Sequence, residues 1–461
     1  MAKKNLLYIF ADQWRKIAVG IEGQDKIITP NMDRFATESK VFDNAISTYP
    51  LCSPHRAALM TGKYPYSCGM WTNCKIGLDE TVMLKPQEET IGKTLKRNGY
   101  ETAYIGKWHL DASELNFNKN PESGAINWDA YTPEGERRQG FDYWFSYGAM
   151  DKHLNPHYWR NTPMKIEPGK WSPEVETDVA LDYLENRDKN KPFCMFVSWN
   201  PPHPPYDKVP EKYVDMYDDI PLRENVPKEM REDKEYLRTI KEYFAAVTGL
   251  DENFKRILDY LKENNLEEDT IVVLSADHGD MMGSQGIYGK NIWYEESINI
   301  PFMIRGEGIE PGRTDCLFSS IDHMPTLLDL LEVDIPAAVQ GQSFKDIIED
   351  KKMDEPDTVF LSMIPGMAEL IEPYRKRGLN NKSFGWRGIR TKKHTYVIDN
   401  GTHPDEKQKR YLYDNENDPY QLNPVILSSE DERCIEYDEY LKGYLKEIKD
   451  PFLMKGLDNN V

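Results

Sequence analysis

Leu6-Leu7-Tyr8-Ile9-Phe10 runs straight into Ala11-Asp12-Gln13, and Thr270–Ala276 runs straight into Asp277-His278-Gly279-Asp280. Each stretch is a short apolar run closed by polar residues that can carry chemistry. Runs of this kind alternate with helical patterns along the chain. Unbroken apolar strands separated by helices predict an α/β fold with a mainly parallel sheet sandwiched by helices. Further strands are expected at 102–105, Phe193–Trp199 and 300–304. Helices are expected at 90–98, closed by Gly99, at 232–264 and at 322–331. Within 232–264, apolar residues recur at helical spacing from Tyr236 to Leu261.

The pattern changes after Ser343. Residues 345–357 are charged and read as a connector, followed by strand-like pieces at 358–362, Trp386–Arg390 and 395–399 and a terminal helix at 435–449. The expected division is a larger domain, 1–344, and a smaller C-terminal α+β domain, 345–461. Residues 111–139 are polar and read as a long surface loop near the functional edge of the sheet.

Composition bounds the function. A chain of 461 residues with 39% hydrophobic and 11% aromatic residues builds a real core and is no disordered acidic protein. A net charge of −20 argues against nucleic acid as a partner and against a basic membrane patch. It suits a small anion drawn in by a few clustered cations better than a long polyanion. No apolar run approaches the ~20 residues of a membrane span. The start Met1-Ala2-Lys3-Lys4 is charged, but the apolar run after it is too short for a signal sequence. The six cysteines (52, 68, 74, 194, 316 and 434) show no metal-binding spacing and no disulfide framework. Cys68 and Cys74 are close enough in sequence to be bridged, but nothing requires it. A cytoplasmic location is the expectation.

Cys52-Ser53-Pro54-His55-Arg56, continued to Thr61-Gly62, has the marks of a short helix. Ser53 is expected as the N-cap, Pro54 as the first helical residue and Gly62 as the stop. Cys52 would then sit at the positive end of a helix, a place that favours an anion. The pattern C-x-P-x-R, with Leu-Met-Thr-Gly close behind, resembles the signature of the type I sulfatases of the alkaline-phosphatase-like superfamily. Gly106-Lys107-Trp108-His109-Leu110 resembles that family's second signature. Asn200 to Pro205, around His203, and Gly289-Lys290 resemble two further family segments.

The resemblance implies the following roles. Cys52 would be oxidised by a formylglycine-generating maturation enzyme to formylglycine, whose hydrate attacks sulfur. Arg56 would orient and stabilise that hydrate. Asp12, Gln13, Asp277 and His278, with residue 52, would hold one calcium ion, although many relatives have Asp in place of Gln13 and Asn in place of His278. Lys107 and Lys290 would bind sulfate. His109 would act as base, and His203 would bind sulfate and protonate the leaving oxygen.

For the substrate, aromatic and polar residues outside the signatures are the candidates: Trp71, Asn73, Asp151, His153, Trp386 and Arg387. Asp151, His153, Trp386 and Arg387 are taken as sugar contacts, since rings stack on aromatics and polar groups fix hydroxyls. The expected substrate is a small sulfated saccharide, first the 6-O-sulfate of N-acetylglucosamine or N-acetylgalactosamine, cleaved in exo fashion. Aryl or choline sulfate is an alternative, as is phosphonate or phosphate monoester hydrolysis on the same scaffold. A non-catalytic protein that binds sulfated glycans is the rival of another class.

Overall fold

The computed structural model describes residues 3–454; Met1 and Ala2, part of the charged start read above, lie outside the described residues. Eight strands form the first sheet: β1 (Asn5–Ala11), β2 (Lys40–Ile46), β3 (Glu101–Lys107), β4 (Tyr143–Tyr147), β5 (Phe193–Trp199), β6 (Thr270–Ala276), β7 (Phe302–Arg305) and β8 (Gly312–Ser319). Their order is β4-β3-β5-β1-β6-β7-β2-β8. All pairings are parallel except those of β7, which runs antiparallel to β6 and to β2. Every residue of β1, β5 and β6 is buried. That explains their unbroken apolar runs: strands covered on both faces have no polar side to alternate with.

Two groups of helices supply the cover. Pro30–Thr37, Ser172–Asn186 and Lys234–Glu263 pack together, and Ile91–Arg97, Cys52–Thr61 and His323–Leu330 form the other group. The helix at Lys234–Glu263 starts where Asp233 caps the backbone N–H groups of Glu235 and Tyr236. The one at Ile91–Arg97 is capped by the Thr90 hydroxyl, and Gly99 follows it in the left-handed region. Among the described residues no helix is long and apolar enough to cross a membrane.

Register fixes the functional edge. Ala11 lies level with Trp199 on one side and Ala276 on the other, and Gly106 lies level with Ser198. The residues that follow therefore emerge side by side, with the Asp12 N–H bonded to Trp199 O (3.0 Å) and the Asp277 N–H to Ala11 O (3.2 Å).

A second sheet has five antiparallel strands: β9 (Val359–Met363), β10 (Trp386–Arg390), β11 (His394–Asp399), β12 (Lys409–Asp414) and β13 (Val425–Leu427), ordered β13-β12-β11-β10-β9. The terminal helix Cys434–Ile448 packs on it. The sheet also packs on the first layer: Phe360, Ile389 and Tyr396 share a core with Ala58 of the helix Cys52–Thr61.

Several elements were not read from the sequence. β2 carries Asp43 and Asn44 at a register irregularity, which breaks its apolar run. β4, β8, β12, β13 and the helix Ser172–Asn186 were also missed, although Tyr-Trp-Phe-Ser-Tyr of β4 is a readable aromatic strand. Residues 345–357 are not a plain connector, since they begin with a helical turn, Lys345–Ile348, whose Ile348 joins the first core. Arg387 is no sugar contact. It is fully buried, paired with Asp450 (Nε–Oδ2 2.7 Å) and bonded to the Met363 and Lys382 carbonyls. Its position on β10, flanked by β9 and β11, turns it into the protein, where an arginine persists only when paired.

Candidate active site

The helix Cys52–Thr61 is buried along its whole length and begins at Cys52, with Leu51 as N-cap. Ser53 is therefore not the cap. Its hydroxyl donates to His109 O (2.6 Å) and accepts from the Cys74 N–H (3.2 Å). Asn73 does the capping, accepting the Ser53 N–H at Oδ1 (3.0 Å). Gly62 closes the helix at φ 63°, with its N–H on Ala58 O (2.8 Å).

Arg56 leaves this helix toward the strand ends. Its Nε donates to Asp277 Oδ2 (3.0 Å) and Nη2 to Asp12 Oδ2 (3.0 Å). Nη1 donates to Lys107 O (2.7 Å) and Ser198 Oγ (2.8 Å). The ends of β1, β3, β5 and β6 thus share one guanidinium, which also lies over the Phe10 ring. The sequence reading gave Arg56 a direct role on residue 52. The structure makes it a positioning residue, because its fork is engaged with the protein.

Cys52 Sγ faces the edge of the sheet. Lys290 Nζ stands 3.1 Å from it, His278 Nε2 3.4 Å and Asp12 Oδ1 3.5 Å. Burial and the Asp12 charge push the thiol up, but Lys290, Lys107 and His278 outweigh them and hold it well below the usual thiol range. Lys107 ends β3, donating to Asp12 Oδ2 (2.9 Å) and Asn200 Oδ1 (3.0 Å). Gly106 makes this approach possible: its φ is 99°, and a Cβ there would run into Ser198 O.

His109, at φ 50°, is in the left-handed region, as are Gln13 at 62° and Asn291 at 71°. Non-glycine residues held there concentrate at functional sites. His109 Nε2 meets Cys74 O at 3.3 Å, while its buried Nδ1 has no partner. With the proton on Nε2, Nδ1 presents a lone pair. Burial holds the imidazole below its ordinary range against the pull of Cys52, so the ring is neutral. His203 is the opposite case. Burial, Lys290 and Lys107 lower it, but Asp151 (Nδ1–Oδ1 3.3 Å) and Asp12 prevail and raise it to about 9.

The other expected contacts divide. Asp151 is half-exposed beside His203. His153 is buried and occupied: Nε2 meets His203 O (2.8 Å) and Nδ1 meets the Asn200 amide (3.5 Å). It holds the His203 segment rather than a sugar. Trp386 is also buried and donates its indole N–H to Asn291 O (3.0 Å), bracing the residue after Lys290 from behind. Asn200, which follows β5 and aligns Lys107, has no role in the sequence reading. Its place between strand and proline run was the available signal.

The residues present fit a divalent cation. Donor atoms of Asp12, Cys52, Asp277 and His278 all lie within 4.8 Å of one another. His278 Nδ1 meets Gly279 O (3.0 Å), which turns Nε2 toward Asp277 (3.5 Å) and Asp12 (3.7 Å). Gln13 is tethered through Nε2 to Asp280 (2.6 Å), and its buried Oε1 has no partner. Burial and the Asp12 charge push Asp277 up against the pull of His278 and Arg56.

The Sulfatase family model matches residues 4–333, and a second one, N-sulphoglucosamine sulphohydrolase, C-terminal, matches residues 283–450. An endo-4-O-sulfatase of Bacteroides thetaiotaomicron is 38% identical over 97% of this chain and 93% of its own length. An ulvan-active sulfatase of Formosa agariphila is 34% identical, covering 98% of this chain and 82% of its own. A solved Bacteroides thetaiotaomicron structure from work on the metabolism of multiple glycosaminoglycans superposes with a TM-score of 0.88 at 37% identity, over 97% of both chains. The chain belongs to the sulfatase family, on an alkaline-phosphatase-like fold. It is a sulfuric ester hydrolase.

Arg56→Lys keeps the charge but cannot bridge Asp12, Asp277, Lys107 O and Ser198 together. The expected result is a fall in kcat of at least ~100-fold on an aryl sulfate, because small misplacements of reacting groups carry losses of that order. An Arg56→Lys enzyme with wild-type kcat would refute the positioning role.

Proposed function

We propose that this protein hydrolyses O-sulfate esters of acidic, glycosaminoglycan-type saccharides, with Cys52 matured to formylglycine and a calcium ion held by Asp12, Gln13, Asp277 and His278. The observation that carries the reading is the set of groups around Cys52: Lys290 and His278 in contact with its sulfur, Asp12 beside it, and a second lysine, Lys107, on Asp12. Matured residue 52 supplies an oxygen nucleophile for sulfur, and the cation supplies Lewis-acid stabilisation of sulfuryl oxygens.

The chain's own residues do the rest. Lys290 and Lys107 offset the charge that gathers on the sulfuryl oxygens. His203, protonated through its pairing with Asp151, delivers a proton to the departing alcohol. His109 takes up a proton at Nδ1. The relative at 38% identity is an endo-4-O-sulfatase, which sets a 4-O-sulfate beside the 6-O-sulfate expected from the sequence. The five cysteines besides Cys52 are unpaired, which supports a reducing compartment as the place of action.

The test is sulfate release by protein co-expressed with a formylglycine-generating enzyme. Substrates are 4-O- and 6-O-sulfated N-acetylhexosamines, alone and in uronate-containing disaccharides, with aryl sulfate, choline sulfate and a phenyl phosphonate beside them. Release from a saccharide, lost in Cys52→Ala, is expected. Turnover of only the phosphonate by protein fully converted at residue 52 would overturn the reading.

Two further outcomes are expected. Calcium at 100-fold over its Kd adds ~2.7 kcal/mol of stability, read as a rise in Tm that a chelator reverses and Gln13→Ala reduces. Unchanged Tm would remove calcium from the site. His203 is the proton donor below about pH 9, and its acid form is lost as pH rises through that value. Asp151→Asn removes a group that raises it, so the alkaline limb of kcat/KM moves to lower pH. A limb that stays in place would show that His203 is not the acid.

A further inference from the structure

Beside the reacting residues lies a cavity of about 390 Å³ between the start of the helix Cys52–Thr61, the segment 72–75, the segment 291–293 and the second sheet. Leu51 and Asn291, the immediate neighbours of Cys52 and Lys290, line it, as does Trp386. Its volume falls in the range of small-molecule sites. One cation lines it: Lys75.

Lys75 is 4% exposed, yet among the described residues no carboxylate stands within ion-pair distance of it. Its ammonium meets only Met367 Sδ (2.9 Å) and the face of Trp128 (5.6 Å to the ring centre). The exposed Glu369 acts on it from farther away. A buried ammonium without an anion is costly, and this one is lowered by burial to about 8, so it still carries charge at neutral pH. The two carboxylates that line the cavity lie outside ion-pair distance of Lys75 and accept backbone groups of their own loop: Asp399 the Gly401 N–H (2.8 Å) and Glu406 the Thr402 N–H (3.1 Å).

The lysine is also held in place relative to the chemistry. The N–H of the preceding Cys74 is bonded to Ser53 Oγ, and Cys74 O meets His109 Nε2. Asn116 Nδ2 donates to Lys75 O (3.2 Å). The Trp128 ring that carries the ammonium lies parallel to His109, with centres 6.5 Å apart. Nothing in the hydrolysis of the sulfate ester itself employs Lys75.

Resting on the sulfatase reading, we infer that Lys75 is a specificity residue that pairs with a second anionic group of the saccharide, beyond the sulfate being cleaved. The shared chemistry is an oxyanion, either the carboxylate of a uronic acid or a second sulfate. An acidic saccharide supplies the missing counter-charge, and a neutral one leaves the buried ammonium unpaired.

The test compares sulfate release from a sulfated uronate-containing disaccharide, its carboxyl methyl ester, and a neutral disaccharide with one or two sulfates. The wild-type protein is expected to favour the acid over the ester, or the disulfated over the monosulfated sugar, by about 10- to 100-fold in KM. The first preference assigns the carboxylate and the second the extra sulfate. Lys75→Met is expected to lose that preference and Lys75→Arg to keep most of it. No preference in the wild type, or a preference that survives Lys75→Met, overturns the inference while leaving a working sulfatase. The wild-type comparison stands even where Lys75→Met fails to fold. No sulfate release from any ester overturns the sulfatase reading, and this inference falls with it.

Discussion

The Arg56 guanidinium is the constraint on which the site depends. It is buried, and it joins four adjacent strand ends through two carboxylates, a carbonyl and a hydroxyl. A parallel sheet delivers its carboxyl ends to one edge but does not fix them against one another. A planar fork with several N–H groups can, where a lysine's point charge cannot. The arginine comes from the same helix turn as Cys52, so aligning the strand ends and placing the reacting residue are one structural event.

Around that fork the protein buries charge that would be unfavourable in isolation. Asp12 would be raised by burial, but Lys107, His203, Lys290 and Arg56 hold it well below the usual carboxylate range. The same lysines lower the Cys52 thiol. A cluster of this kind stores its electrostatic order before any substrate arrives, which is how an enzyme avoids reorganising solvent during the reaction. The two histidines show how local surroundings separate identical side chains. His109 is buried against Trp128 and the Cys74 carbonyl and held below its ordinary range, whereas His203 faces a half-exposed carboxylate and is raised.

The second sheet is part of this order. Its core is shared with the helix that carries Cys52, and Trp386 reaches back to the residue after Lys290. Arg387, one residue further along β10, points into a different environment and is tied to Asp450. Alternation along a strand explains the difference: neighbours face opposite sides of the sheet. A pair that reads in sequence as one polar-aromatic contact therefore does two separate structural jobs.

Much of the site was legible in the sequence because its residues sit in short segments with a local logic. Apolar runs closed by Asp12, Lys107 or Asp277 mark strand ends, and Cys52 to Gly62 marks a buried helix with a glycine stop. The sequence alone determined the α/β class, the reacting cysteine and the cations and carboxylates that accompany it. Only the tertiary structure decided which of them touch. It turned Arg56 from a group acting on residue 52 into a clamp, gave the Ser53 cap to Asn73, withdrew His153 and Arg387 into the scaffold and left Lys75 without a counter-charge. Periodicity and caps act over a few residues, so one chain segment carries their signal. Pairing, burial and charge balance depend on strand order and register across hundreds of residues, which no local pattern encodes.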